Sequence, residues 1–249
     1  MYFIIFDLEF NQDVSSLKNF DRTRPHCPFE IIQIGAIKLD LEFNTVGTFN
    51  RYVMPTFYTR INPFVTELTG ITTEQLLIEE PFPEIYKAYT KFINETDSIF
   101  CTWGMSDITG LFRNVEDHQL NHRLLPKMVI NLQPYVSMHL NLSQKKMLRL
   151  QHAVEILNIP ITYAFHNALH DAYYTAEIFK KIYNPSIQPK PYDPSNMIIR
   201  PKHPKRVIDI DKLLQQFEKM YARKMTEEEQ EMIKLAYKMG RTNQFLKYL

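Results

Sequence analysis

The chain begins with a five-residue apolar run, Tyr2 to Phe6, that leads directly into two acidic residues, Asp7 and Glu9. The apolar run predicts a buried β-strand. In an extended chain, residues i and i+2 point to the same face, so the two carboxylates would stand side by side. Their mutual repulsion must be relieved by water or by a cation. Taken alone, this pair predicts either a solvated strand end or one wall of a metal site.

The order of the predicted elements indicates the fold class. Strand-like segments come first, and strands then alternate with helices, which predicts an α/β fold with a mixed β-sheet flanked by α-helices. The predicted strands are Tyr2–Asp7, Glu30–Asp40, Thr48–Val53, Ser98–Trp103 and Met128–Gln133, and the predicted helices include Phe82–Asn94, Ser106–Leu120, Ser143–Asn158 and His166–Tyr183. The second strand carries apolar residues on both faces, so we expect it to be covered on both sides.

The chain is expected to have three parts. We expect a large domain at residues 1–184, a proline-rich basic linker at 185–206 and a small helical C-terminal appendage at 207–249. Thr226 and Glu229 form a predicted capping box, and Gly240 predicts the end of that helix. The last helices could be a helix-turn-helix, but basic residues are not clustered on the second one, so a packing appendage is favoured.

Composition excludes several classes of protein. Hydrophobic residues make up 45% of the chain and charged residues 23%, as in ordinary globular proteins. No apolar run reaches the ~18 residues that a membrane span needs. Two cysteines, Cys27 and Cys101, predict no disulfide framework and favour a reduced, cytoplasmic setting.

The charge distribution is more informative than the total of +1. Residues 200–224 carry a net charge of +5, whereas residues 1–199 carry −4. An acidic body binds polyanions poorly unless metal ions at its carboxylates change the local charge. The basic stretch by itself is more typical of a solvated linker and helix than of a nucleic-acid contact.

Two further carboxylates follow element boundaries of the kind that expose side chains at a sheet edge. Asp107 follows the strand Ser98–Trp103, and Asp171 comes five residues after His166 in the first turns of a helix. If all four carboxylates converge, they need cations, and Mg²⁺ binds such oxygens together with substrate phosphate. Two ions ~3.5–4 Å apart can stabilise both the attacking and the leaving oxygen of a phosphodiester. A histidine such as His166 could take the proton of an attacking water.

Each of these residues also has a simpler interpretation. Asp107 and Asp171 could be helix-start charges that the helix dipole favours, and His166 could be a packed loop histidine. Trp103 could equally be a core residue or a platform for a base. His118 and His122 have the i, i+4 spacing of zinc ligands but lack a third ligand, so a solvated helix face is favoured.

The joint pattern resembles a known family. FDLEF (Asp7-x-Glu9), Asp107 and His166-x₄-Asp171, in this order, resemble the three motifs of the DEDDh 3′→5′ exonucleases, which have an RNase H-like fold. EIIQIGAIKLD and LTGIT resemble two supporting segments of the same family, and the match runs from residue 1 to about 184. Within the family, the chain is most similar to the branch of the three-prime histone-mRNA exonuclease and KapD.

The resemblance implies a role for each matching residue. Asp7, Glu9 and Asp171 would hold the first of two divalent ions, Mg²⁺ or Mn²⁺. Asp7 would also hold the second ion, with Asp107 nearby or acting through water. The general base would be His166. The substrate-binding positions that the resemblance implies are Phe10, Leu68 and Thr69, and Trp103 is considered as a further one.

The sequence departs from the family pattern at two places. Most members read Asp-x-Glu-Thr, whereas Phe10 and Asn11 follow Glu9 here. Any contact made by that threonine is therefore not carried over. Gln33 replaces a commoner glutamate in the second strand, a change that we do not expect to affect the chemistry.

The expected function is removal of 5′-mononucleotides from the 3′ end of single-stranded nucleic acid, with RNA favoured. A DNA-directed proofreading or repair exonuclease stays open, because no motif reports contacts to the ribose 2′-hydroxyl. A regulatory binding protein that keeps the fold is the other alternative. In either case a protein partner could bind through residues 185–249.

Overall fold

The computed structural model of the chain describes residues 1–12, 29–93, 98–142, 147–196 and 209–241. The chain divides into two compact units, Met1–Met197 and Ile198–Leu249. Across the described ranges, no helix combines the length and the apolar character needed to cross a membrane.

The first unit is built on a six-stranded mixed sheet with the strand order β3-β2-β1-β4-β5-β6. Strands β1, β4 and β5 run parallel to one another, whereas β2 is antiparallel to both β1 and β3, and β6 is antiparallel to β5. The strands are β1 (Tyr2–Gln12), β2 (Phe29–Leu39), β3 (Thr45–Tyr52), β4 (Ser98–Thr102), β5 (Met128–Asn131) and β6 (Lys190–Pro191). The predicted mixed sheet is thereby confirmed.

Helices cover both faces of this sheet. The helices of the first unit are α1 (Pro63–Thr69), α2 (Thr73–Leu76), α3 (Phe82–Ile93), α4 (Ser106–Asp117), α5 (Leu132–His139), α6 (Leu150–Ile156) and α7 (Ala168–Ile182). Short 3₁₀ helices lie at His122–Leu124 and Pro194–Asn196.

Strand β1 divides the core by alternation. Phe3 and Ile5 point into a cluster that contains residues of α5, α6 and α7, while Ile4, Phe6 and Leu8 point into a second cluster with α3 and α4. Since Asp7 and Glu9 continue the alternation of Phe3 and Ile5, their side chains belong to the face that α7 covers.

Strand β1 is longer than the predicted Tyr2–Asp7, so the carboxylates lie within the strand and not at its end. The cause is β2, which pairs with β1 as far as the partners Gln12 and Phe29. On the other side, β4 pairs with β1 only as far as Ile5 and Cys101. Asp7 and Glu9 therefore lie where β1 has only one neighbouring strand, which leaves space beside them.

Strand β2 is buried on both faces, as its apolar pattern predicts. Gly35 pairs with Asp7, and the start of α7 lies directly on it. A Cβ atom built at Gly35 would stand 2.1 Å from the backbone carbon of Ala168 and 2.1 Å from the nitrogen of Leu169. Only glycine permits this approach of helix to sheet.

A buried asparagine joins α4 to the edge of the sheet. Asn114 accepts a hydrogen bond from the backbone nitrogen of Ile31 at 3.0 Å and donates to the carbonyl of Phe29 at 2.9 Å. These bonds lie beside the irregularity at which the partners of β1 on β2 shift between Glu9 and Phe10. Helix α4 is thus fixed at the height of the carboxylates on β1.

Several other predicted boundaries differ from the structure, of which three bear on the packing. Helix α6 begins at Leu150, after the non-helical residues 147–149, and the predicted cap Ser143 lies outside the described residues. Strand β5 ends at Asn131, because its side chain accepts from the nitrogen of Gln133 and begins α5. Lys190–Pro191, within the predicted linker, adds to the sheet as its edge strand.

The second unit contains α8 (Ile210–Tyr221) and α9 (Glu227–Arg241). Thr226 and Glu229 form the predicted capping box, with the nitrogen of Thr226 donating to the Glu229 carboxylate at 2.9 Å and the nitrogen of Glu229 donating to Thr226 Oγ1 at 3.3 Å. Helix α9 passes through Gly240, where its end was predicted, because the backbone remains helical to Arg241.

The contact between Gly35 and α7 predicts an unequal cost for two glycine substitutions in strands. Gly35→Ala should lower the free energy of unfolding by about 1–3 kcal/mol, because the added methyl group meets helix backbone that cannot rotate away. Gly47→Ala is the matched control, since its Cβ would meet the side chain of Phe92 at 3.2 Å. Urea unfolding of both variants measures the difference, and equal costs would contradict the close packing at Gly35.

Candidate active site

Three of the predicted carboxylates meet at one point of the structure. Asp7, Glu9 and Asp171 each offer an oxygen that lies within 4.8 Å of the others. Asp7 and Glu9 come from the same face of β1, and Asp171 comes from the first turn of α7. This spacing allows the three groups to share one cation.

The start of α7 is held in place by hydrogen bonds from outside the helix. Asn167 caps the helix by accepting from the nitrogens of Leu169 and His170 at 3.1 and 3.4 Å. Gln33 on β2 accepts from the nitrogen of Ala168 at 3.2 Å, and its amide donates to Asn50 at 2.9 Å. Gln33 was not expected to affect the chemistry, yet it holds the turn of helix that carries Asp171.

His166 lies next to this cluster on an exposed loop. Its backbone has a positive φ of 65°, a conformation that is uncommon for a residue with a side chain. Its backbone nitrogen donates to Asp171 Oδ2 at 3.1 Å, which offsets part of the strain and couples the histidine to the carboxylate. The residue pair His166–Asp171 is therefore a local unit.

Aromatic side chains of α7 hold the loop that precedes His166. The hydroxyl of Tyr174 donates to the carbonyl of Tyr163 and accepts from its nitrogen, both at 2.7 Å. The ring of His170 stacks on that of Tyr163, with centroids 4.8 Å apart, and Phe165 stacks on Tyr174 at 4.7 Å. His170 is thus occupied in loop packing, and the imidazole of His166 remains exposed.

Asp107 lies in the first turn of α4 and is buried. The turn before it is fixed at Gly104, whose φ is 96° and whose nitrogen donates to Asn131 at 3.1 Å. Asp107 is outside the group of three carboxylates that approach within 4.8 Å. Its charge nevertheless acts on Asp7 and Glu9, because it raises the pKa of both.

The four carboxyl groups are in electrostatic conflict. Burial is the largest cause that raises the pKa of each, and repulsion between the carboxylates adds to it for Asp7, Glu9 and Asp107. The pKa of Glu9 rises to about 8, that of Asp107 to about 7 and that of Asp171 to about 6, while that of Asp7 is raised well above its usual range. A divalent cation would remove the conflict.

The surroundings of the cluster fit a metal ion. None of the ion pairs among the described residues involves Asp7, Glu9, Asp107 or Asp171. The Oδ1 atom of Asp171 is buried and has no hydrogen-bond partner, although its Oδ2 accepts from His166. A buried carboxylate oxygen without a donor is costly. An all-oxygen donor set of this kind suits Mg²⁺ or Mn²⁺ better than zinc.

Phe10 and Asn11 have structural contacts that the sequence did not reveal. The ring of Phe10 fills the space over Gly110 of α4, where an added Cβ would stand 2.4 Å from it. Asn11 is buried, donates to the carbonyl of Arg60 at 3.0 Å and accepts from the nitrogen of Asn62 at 3.0 Å. Asn11 therefore ties the end of β1 to the segment that leads into α1.

A buried glutamate holds the same segment from the other side. The Glu30 carboxylate accepts from the backbone nitrogens of Thr56, Phe57 and Tyr58, the last two at 2.8 and 2.9 Å. Burial raises the pKa of Glu30, and these bonds lower it in part. Glu30 and Asn11 are 19 residues apart in the sequence and are partners across β1 and β2, and both bind a segment remote from them in sequence, so sequence patterns gave no signal of the network.

Helix α1 presents an apolar surface near the end of β1. Leu68, a predicted substrate-binding residue, is 42% exposed, and Phe64 one turn earlier is 59% exposed. Thr69 instead uses its hydroxyl inside the helix, donating to the carbonyl of Val65 at 2.8 Å. Phe64 was missed by the sequence analysis, although its i, i+4 spacing from Leu68 was a usable signal.

The remaining aromatic and histidine candidates are packed. Trp103 is partly buried against the core, and its indole nitrogen donates to the carbonyl of Leu148 at 3.2 Å. The ring of His118 lies against Phe57 and Phe82, with centroid distances of 4.7 and 5.0 Å. These contacts give His118 a packing role, so the predicted solvated helix face is wrong for it, and His122 lies outside α4 in the 3₁₀ turn.

Comparisons with known proteins agree with this geometry. The sequence profile of the RNase T family, described as Exonuclease, matches residues 4–179. A search of curated proteins found no significant match. The matched range includes all four carboxylates and His166.

Solved structures with the same fold are nucleases. The nuclease domain of 3′hExo, a DEDDh family member bound to rAMP, is 21% identical with a TM-score of 0.63, over 77% of this chain and 96% of that one. Cell-death related nuclease 4 (CRN-4) is 18% identical with a TM-score of 0.59, over 72% and 62%. E. coli Exonuclease I in complex with a dT13 oligonucleotide is 18% identical with a TM-score of 0.53, over 72% and 40%.

At these identities the structural likeness shows the fold, and the family profile shows the family. Both agree with the Asp-x-Glu, Asp and His-x₄-Asp pattern that the sequence analysis identified. The chain therefore belongs to the DEDDh family of 3′→5′ exonucleases, which have an RNase H-like fold and depend on divalent metal ions.

Proposed function

We propose that the protein removes 5′-mononucleotides from the 3′ end of single-stranded RNA, with two Mg²⁺ or Mn²⁺ ions bound at the carboxylate cluster. The observation that carries the proposal is the convergence of Asp7, Glu9 and Asp171 within 4.8 Å, next to the exposed His166. A buried cluster of this charge does not stabilise the fold, because each carboxylate is desolvated and repelled by its neighbours.

In this proposal the carboxylates bind the metal ions. Asp7, Glu9 and Asp171 would hold one ion, and Asp7 would also hold the second, with Asp107 contributing nearby or through water. When bound, the ions supply positive charge at the scissile phosphate and lower the pKa of a coordinated water. The chain itself fixes the positions of these carboxylates. The packing of α7 on Gly35, the helix cap at Asn167 and the hydrogen bonds from Asn114 to β2 all contribute.

His166 is the proposed general base. Its loop is fixed by Tyr174 and by the bond from the His166 nitrogen to Asp171, so the exposed imidazole stays beside the cluster. The ring accepts a proton from the attacking water, whose oxygen bonds to phosphorus as the P–O bond to the 3′ oxygen of the penultimate nucleotide breaks, and that 3′ oxygen takes up a proton from solvent. The terminal nucleotide departs with its 5′ phosphate.

The surface of α1 is the proposed contact for the terminal nucleotide. Phe64 and Leu68 expose apolar side chains, and Asn11 and Glu30 fix the segment that sets their height relative to β1. A nucleobase can pack on such side chains without sequence preference, at ~1–3 kcal/mol for an aromatic contact. Phe10 and Trp103 are held by core contacts and are not assigned to this surface.

RNA rather than DNA is the proposed substrate because of the ligands found with the structural neighbours. The nuclease domain of 3′hExo was solved bound to rAMP, and a second structure shows the recognition of a histone mRNA stem-loop by a 3′-exonuclease. Exonuclease I of E. coli was solved with DNA oligonucleotides. The two neighbours solved with RNA or a ribonucleotide match this chain with TM-scores of 0.63 and 0.62, against 0.53 and 0.51 for those with DNA.

A time course on matched RNA and DNA strands tests the substrate. Strands labelled at the 5′ end should shorten one nucleotide at a time with Mg²⁺ or Mn²⁺, and EDTA should stop the reaction. We expect the RNA strand to be degraded faster than the DNA strand. Faster degradation of DNA would transfer the proposal to the DNA-directed alternative, and no degradation of either strand would favour a binding protein with this fold.

Two substitutions should separate the proposed roles of ligand and base. His166→Ala should lower kcat by ~10²–10⁴-fold, because it removes the proton acceptor, and should leave Mn²⁺ binding intact. Asp7→Asn should abolish both turnover and the rise in melting temperature that Mn²⁺ causes. Calorimetric Mn²⁺ titration and thermal unfolding of the two variants measure the metal site independently of activity. Loss of Mn²⁺ binding in His166→Ala would contradict its assignment as the base.

A further inference from the structure

A cavity in the first unit lies away from the carboxylates. It has a volume of about 1110 Å³, and its lining includes Met1, Ser98 and Met128 at the starts of β1, β4 and β5. Asp7 and Glu9 lie toward the other end of β1, and Asp107 follows the far end of β4. The cavity is therefore at the opposite end of the parallel strands from the candidate active site.

Four cations line this cavity. Lys87 and Lys91 come from one face of α3, and Arg123 and Lys127 come from the 3₁₀ turn and the residues before β5. All four are exposed, and none of the described residues that line the cavity is acidic. Within the described ranges, no ion pair involves any of the four.

This charge arrangement is unfavourable without an anion. Like charges at i, i+4, as in Lys87 and Lys91, destabilise a helix. The concentration of positive charge also contrasts with residues 1–199 as a whole, which carry −4. Glu95 and Asp97 follow Lys91 in the sequence but lie outside the described residues. The positive charge given for the cavity lining therefore counts only the described residues.

A second cavity adjoins the first. It has a volume of about 720 Å³ and shares Arg123 and Lys127 with the larger one. Its lining adds Phe112 and Tyr192, which pack with centroids 4.9 Å apart, although Glu116 and Asp193 also reach it. Phe112 is buried in the core, so the partly exposed Tyr192 is the ring beside the basic side chains, an arrangement typical of surfaces that bind single-stranded nucleic acid.

We propose that the basic cavity formed by Lys87, Lys91, Arg123 and Lys127 binds the phosphate backbone of the substrate strand, upstream of the 3′ end that is being hydrolysed. This inference rests on the proposed function, because it takes the substrate to be nucleic acid. Lysine and arginine side chains neutralise backbone phosphates and release the counterions condensed on the strand. The cavity supplies the positive charge that the acidic body otherwise lacks.

The separation of the two sites sets a substrate length. From Glu9 back to Tyr2, β1 spans roughly 23 Å at ~3.3 Å per residue. A stacked strand advances ~3.4 Å per nucleotide, so roughly seven nucleotides bridge this distance. In the stacked conformation, strands shorter than this can occupy the active site but do not reach the cavity. The proposal therefore predicts an effect that depends on strand length.

The test compares Lys87→Gln/Lys91→Gln with Arg51→Gln/Lys219→Gln, which removes the same charge at exposed side chains outside the cavity. Steady-state rates are measured with Mn²⁺ on 5- and 20-nucleotide single strands of the preferred sugar. For the 20-mer we expect KM to rise about 5- to 10-fold at unchanged kcat. The slope of log(kcat/KM) against log[salt] should also become less negative by ~1.4, because each phosphate that is no longer neutralised contributes ~0.7 to this slope. The 5-mer should be cleaved with unchanged constants, and the control variant should match the wild type on both strands.

The outcomes separate this inference from the proposed function. If the wild type cleaves both strands and the cavity variant has an unchanged KM and salt dependence on the 20-mer, the cavity does not bind substrate. The same conclusion follows if KM rises equally for the 5-mer. It also follows if, among added polyanions, only an acidic polypeptide such as polyglutamate competes for binding at the cavity. If the wild type cleaves neither strand, the proposed function itself fails, and this inference fails with it.

Discussion

The mutual repulsion of four partly or fully buried carboxylates is the constraint on which the rest of this structure depends. Nothing in the packing of the described residues neutralises Asp7, Glu9, Asp107 and Asp171, and burial and repulsion raise their pKa values. A fold selected for stability alone would replace such groups with apolar residues of similar volume. Their presence is understandable if divalent cations bind there, and the DEDDh family to which the chain belongs uses such ions.

The scaffold holds these groups at fixed positions by contacts that are rigid and distant in sequence. Gly35 lets α7 lie directly on the strand opposite Asp7, and Gln33 bonds the first turn of the same helix. Asn114 joins α4 to β2 over 83 residues of sequence. Because both helices are fixed to one short stretch of sheet, the carboxylates that they carry cannot move apart to relieve their repulsion. Ligand positions are thus set before any ion binds.

The sequence allowed much of this to be predicted, because the relevant signals are local. The i, i+2 spacing of Asp7 and Glu9, the five-residue spacing of His166 and Asp171, and the apolar pattern of β2 each depend on backbone geometry alone. The contacts of Asn11, Glu30, Gln33 and Asn114 were not predictable, since each joins segments that are remote in sequence and only tertiary packing brings them together. The true length of β1 was missed for the same reason, because its extension depends on pairing with β2. Likewise, the aromatic Phe10 gave no sign that its ring fills the space over Gly110.

The dependence of stability on pH, with and without Mn²⁺, tests the central claim most directly. Without metal, the native state holds protons that the unfolded chain releases between about pH 4 and 8, so the free energy of unfolding should fall as pH rises through this range. With saturating Mn²⁺ this fall should disappear, because the ion keeps the native carboxylates ionised and the native state then holds no more protons than the unfolded chain. Asp7→Asn should show a smaller fall without metal, and Mn²⁺ should not change it. Identical pH dependence of the wild type with and without Mn²⁺, measured by urea unfolding, would contradict the account.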